Sequence, residues 1–181
     1  MIDFDGTAMH ELTDKQLYEA LHYAKSQDEQ AGKAILERFQ ANQTVFAQTL
    51  FGVFPSVIAE QDQSMAHLFM DLCFDVIAVF EHAFGKVPDQ RIVGNSWFEE
   101  KALLLDRDIS AAMTQATSSE SNNRLGHEHQ KGLVGFLHAA IDQETCPSAT
   151  AVRLTKTLIF TTVQLFNALY DAAARQNQSV H

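Results

Sequence analysis

The sequence predicts an all-α fold, a single-domain bundle of five to seven helices around one largely apolar central helix. Three observations carry this. Only three Pro and eight Gly punctuate 181 residues, which favours long helices over many short strands. Apolar residues recur at three- and four-residue spacing in segment after segment, while no period-two run of useful length occurs. The segment Ser64–Phe84 (SMAHLFMDLCFDVIAVFEHAF) is apolar most of the way round, as a buried helix is.

The elements follow in order. Residues 1–12 read as a loose N-terminal segment of the single 1–181 domain. Thr13, ahead of Asp14 and Lys15, is an N-cap. Leu17, Ala20, Leu21, Ala24, Ala31, Ile35 and Phe39 then share one face of a helix expected to reach about residue 40. Asn42 or Gln43 starts a second helix that Gly52 and Pro55 end or kink. A short stretch from Pro55 to Glu60 leads into the apolar helix, and Gly85, Pro88, Gly94 and Asn95 mark a mid-chain loop. Ser96-Trp97-Phe98-Glu99 forms a capping-box pattern and opens a helix with Phe98, Ala102, Leu105, Ile109 and Met113 inward. Thr117–Gly126 is a polar, flexible loop; a helix from His127 to Glu144 follows, stopped by Cys146-Pro147. Ser148 caps a last helix through about Arg175 with Leu154, Leu158, Ile159, Leu165, Phe166 and Leu169 inward.

Composition narrows the function classes. The chain is 46% hydrophobic, and thirteen Phe against one Trp and three Tyr predict a core built from phenyl rings. A formal net charge of −10, from 23 acids and 13 Lys plus Arg, argues against nucleic acid and anionic membranes, which call for a basic face. Cys73 and Cys146 make neither a metal pair nor a disulfide framework. The N-terminus has no basic-then-apolar leader pattern. No uninterrupted apolar run approaches the roughly 20 residues of a membrane span. The expected location is the cytoplasm.

Asp3-Phe4-Asp5-Gly6-Thr7 resembles the DxDGT nucleophile motif of haloacid dehalogenase-type phosphatases. The resemblance would make Asp3 the nucleophile and Asp5 the general acid-base. That family places the motif at the end of a buried parallel strand in a doubly wound sheet. Only Met1 and Ile2 precede it here, and no strand pattern follows. The family is therefore not carried over.

The candidate chemistry lies on the apolar helix. At about 100° per residue, His67, Asp71, Asp75 and His82 fall within roughly 80° of one another, with Ala78 among them. His and Asp four residues apart share a helix face and can reach one ion. His138 and Asp142 repeat that spacing. Two such helices side by side would hold a divalent metal (iron, manganese or zinc) with His67, Asp71, Asp75, His82, His138 and Asp142 as ligands. Against this, the Glu-x-x-His spacing of di-iron bundles occurs once, at Glu19 and His22, and Lys131 shares the stripe of His138. His127-Glu128-His129 cannot converge on one ion from a helix, because neighbours point about 100° apart.

Gly132 and Gly135 inside a helix cost about 1 kcal/mol each relative to Ala and predict close packing there. Phe51-Gly52-Val53-Phe54-Pro55 is either core or the lining of a small-molecule pocket. No nucleophile with a base, no phosphate-cradling loop and no basic-aromatic patch can be identified. The sequence thus favours a non-enzymatic binding or regulatory module acting through a protein partner or self-association. The metal-dependent enzyme or sensor is the second reading, and a sensor for a small apolar ligand the third.

Overall fold

The computed structural model describes residues 10–94, 97, 98, 100, 101, 103 and 129–179. Its order is α1 (Asp14–Ser26), α2 (Glu29–Asn42), α3 (Thr44–Gln48), a π-helical turn (Thr49–Val53), α4 (Phe54–Ala59), α5 (Gln63–Phe84), α6 (Gln90–Val93), α7 (Lys131–Asp142) and α8 (Ala149–Gln178). No strand occurs among the described residues, so the all-α bundle stands.

Side-chain caps set most boundaries. The Thr13 hydroxyl accepts from Gln16 N–H, and Gln16 Oε1 accepts from Thr13 N–H in return. Ser148 caps α8 through Ala151 N–H, as expected. The single helix expected from Thr13 to about residue 40 is instead two. Gln27 is extended, and Asp28 accepts from Ala31 N–H to start α2 afresh. Gln27 and Ser26 donate to the Tyr23 carbonyl, satisfying an acceptor at the end of α1.

The expected kink near Gly52 and Pro55 takes the form of the π-turn. Proline has no N–H to give to the α-helical register, and Phe54 N–H reaches back to the Thr49 carbonyl, five residues away. Pro55 then sits in the first turn of α4, where a missing N–H costs nothing. Gly85, at φ 91°, ends α5. The short helix α6 occupies the loop expected between Gly85 and Asn95, with Asp89 as its cap. Trp97 and Phe98 are helical and pack against the core. The rest of the 96–113 helix and its capping box, apart from scattered positions, lie outside the described residues. So do the 117–126 loop, Asp3–Thr7, and His127 and Glu128.

The core is phenyl-rich, as composition implies. Phe166 of α8 is its hub, with ring centroids 4.9 Å from Phe46, 5.3 Å from Phe80 and 5.5 Å from Phe39. It therefore joins α2, α3, α5 and α8 in one aromatic cluster. α8 also buries Thr155, Thr161 and Thr162. Their hydroxyls donate to carbonyls one turn back, so these polar atoms enter the core satisfied. By length and composition α5 can cross a bilayer; here α1, α4 and α8 cover it.

Phe166→Ala should lower stability by about 3–5 kcal/mol, the range for truncating a buried phenyl ring. Urea denaturation checks this. A loss below about 1 kcal/mol, typical of surface positions, would contradict the hub.

Candidate functional site

The seam of α5 is where the sequence places the chemistry, and α1 lies along it. The α1–α5 contact is the most extensive between any two described helices. Small side chains permit the approach: Ala20 and Ala24 of α1 and Ala78 of α5 are all buried.

Asp75, in the middle of the seam, is 2% exposed. Lys25 at the end of α1 answers it, with Nζ 2.6 Å from Asp75 Oδ2. The Lys25 side chain remains 61% exposed, so its stem reaches in from the rim while much of it stays in water. Burial raises the Asp75 carboxyl above its ordinary value. The Lys25 hydrogen bond and charge pull it back in part, and Asp71 one turn earlier adds to the rise.

The other seam residues stay at the surface. His67 is exposed, with Gln63 Nε2 at 3.3 Å from its Nε2. Asp71 is exposed. His82 is exposed and stacks on Tyr23 of α1, with centroids 4.6 Å apart and planes at 25°. The stripe is thus an interhelical joint, buried at its centre and wet at its margins. Beside it, Glu81 accepts a hydrogen bond from Arg38 of α2, so α5 turns one acid to α1 and another to α2.

The second stripe is also engaged internally. Lys156 Nζ lies 2.6 Å from Asp142 Oδ1, and His138 Nε2 lies 3.1 Å from the Lys156 carbonyl. That geometry makes His138 Nε2 the donor. Burial, more than any other cause, lowers the His138 pKa. α7 packs chiefly on α8, with a smaller contact to α1. The six residues His67, Asp71, Asp75, His82, His138 and Asp142 are therefore not brought together. Among the described residues no group of three or more His, Cys, Asp or Glu is placed to hold a metal. Lys25 and Lys156, from other helices, take two of the three candidate carboxylates, Asp75 and Asp142.

Sequence reasoning missed a buried amide cluster at one end of the bundle. Gln130 is 1% exposed and left-handed, at φ 57° and ψ 48°. Its Oε1 accepts from Leu12 N–H, and its Nε2 donates to the His10 carbonyl and to Asn167 Oδ1. Gln164 clasps both backbone groups of His129, and Glu11 accepts from Lys131 N–H. Residues 10–12, expected to be loose, are held here. Gln164 and Asn167, three apart on an otherwise apolar helix face, were the signal available in the sequence.

The two helical glycines of α7 divide. A Cβ on Gly132 would meet Leu17 Cδ2 at 3.1 Å, the expected close packing, whereas one on Gly135 would meet nothing within 4 Å.

A groove of about 600 Å³ opens between α2 and the π-turn. Leu36 and Phe39 of α2, Ala47 of α3, and Phe51 and Val53 of the π-turn supply its apolar surface. The exposed Gln40, Gln48 and Ser56 edge it, and Gly52 completes it. None of these side chains is ionisable. Part of the segment 51–55 thus lines a pocket, while Phe54 and Pro55 are buried.

Lys25→Met should cost about 3 kcal/mol by leaving a buried carboxylate unpaired, and adding Asp75→Asn should recover most of that. Asp75 is raised in the folded state, so that state holds its proton to higher pH than the unfolded chain does. Without Lys25 the carboxyl rises further, so the Lys25→Met deficit is greatest above the variant's own value and shrinks as the pH falls from there toward the wild-type value. Urea denaturation across an acid-to-neutral series checks both points; a pH-independent deficit would contradict them.

In comparisons with known proteins, no family model, no curated protein and no solved structure matches this chain.

Proposed function

We propose that the chain is a helical binding module of the regulatory kind and that the groove between α2 and the π-turn is its recognition surface. One observation carries the reading: a concavity of about 600 Å³, whose described lining is uncharged and mostly apolar, falls within the size range of ligand sites. Two further features support it. π-turns concentrate at functional positions in helices, and this one forms a wall of the groove. The charged stripes on α5 and α7, by contrast, are engaged in joining helices.

A fragment screen on the isotope-labelled chain tests the assignment by amide chemical shifts. Binding at the groove moves resonances between residues 36 and 56 most strongly. Shifts centred on the α1–α5 joint or on α7, or no fragment binding at all, would count against it.

A further inference from the structure

Resting on the groove as the recognition surface, we propose that its occupant is a neutral, largely apolar small molecule and that Gly52 is the residue that keeps the site open. The first argument is electrostatic. The chain carries 23 acids and 13 Lys plus Arg, yet no ionisable side chain is among the described residues that line the groove. A charged ligand would shed hydration there with no counter-charge to replace it. An apolar body against Leu36, Phe39 and Phe51 meets no such penalty. Gln40 and Gln48 at the exposed edge supply amide donors and acceptors for one or two polar groups. The Ser56 hydroxyl already donates to the Gly52 carbonyl at 2.7 Å, so it offers a ligand only acceptor capacity.

The second argument concerns Gly52 itself. It sits in an unbroken helical run from Thr44 to Ala59, where glycine costs about 1 kcal/mol relative to alanine. Backbone shape does not require it, since the positive-φ glycines among the described residues are Gly85 and Gly94. Packing does not require it either: a Cβ at Gly52 would meet nothing within 4 Å. What glycine provides at this position is empty space on the groove side of the π-turn.

The choice of a small molecule over a protein partner follows from the surface around the site. Of the exposed large apolar side chains Tyr18, Val45, Val53, Ile92, Leu103 and Phe136, only Val53 is among the described residues that line the groove. A concavity of about 600 Å³ is the size of a small-molecule site.

The test uses the full chain with two fluorescent probes, neutral Nile red and the anionic anilinonaphthalene sulfonate, against wild type and Gly52→Leu. Nile red should bind saturably, and the sulfonate should bind weaker by roughly tenfold or more. Gly52→Leu should weaken Nile red by at least about tenfold while its melting temperature stays level or rises. Should Gly52→Leu fail to fold, Gly52→Ala with Val53→Gln replaces it, read by the same binding and melting measurements. Absence of saturable Nile red binding overturns the proposal, as does undiminished binding to the Gly52 variant. So does a concentration-dependent dimer in light scattering that the Gly52 substitution dissolves, which would make the occupant a second copy of the chain. Equal affinity for both probes, with fragment shifts still centred on residues 36–56, would sink the neutral-ligand inference and leave the groove assignment standing.

Discussion

A carboxylate placed in the middle of an apolar helix must be answered, and the Asp75–Lys25 pair is the constraint on which the arrangement of helices depends. Taking Asp75 out of water is costly unless a cation reaches it. That cation comes from the last turn of α1, which fixes the register of α1 against α5. Ala20, Ala24 and Ala78 let the two helices close, and Tyr23 lies over His82 on the same face. With α1 fixed, its C-terminal break delivers α2 to the Phe166 cluster, and Arg38 of α2 meets Glu81. Burial of apolar side chains, aliphatic and phenyl, supplies the bulk of the driving force, but it is non-directional. The ion pair specifies which face of α5 is taken by α1.

The far end of the molecule is specified differently, by amides. Gln130, which also donates to Asn167, pairs with the backbone of His10 and Leu12, and Gln164 with that of His129. Gln130 holds a left-handed backbone, a conformation that non-glycine residues keep when surrounding contacts over-determine it. α1 is thus anchored at its entry by amides and at its exit by Lys25. The groove opens elsewhere, between α2 and the π-turn, and no residue of α1 is among its described lining.

Much of the fold was legible because its signals are local. Thr13 and Ser148 cap helices through the backbone two or three residues ahead, and the Gly52–Pro55 spacing foretold a disturbed helix. The break at Gln27–Asp28 was not legible. Asp28 reads equally well as a solvated mid-helix acid, and only tertiary packing makes it a cap. The seam on α5 was visible as a face, since helical periodicity relates Asp75 to Asp71 and His82. Periodicity says nothing about what stands opposite, and Lys25 lies 50 residues away in the chain. The same limit applies to Asp142 and Lys156. A stripe of ligand-type residues and a stripe of ion-pairing residues have one sequence signature. The pocket-lining role of Phe51 to Val53 was an open alternative, decided by where α2 packs.

The central claim is that α1 closes over the seam and buries Asp75. The most direct measurement is a carbon-13 titration of the Asp75 side-chain carboxyl in the folded protein. A covered seam predicts a midpoint above the ordinary value of 3.8, because desolvation outweighs the help from Lys25. A midpoint at or below 3.8 that does not move in Lys25→Met would mean the carboxylate is neither buried nor paired, and the account of the α1–α5 joint would fail.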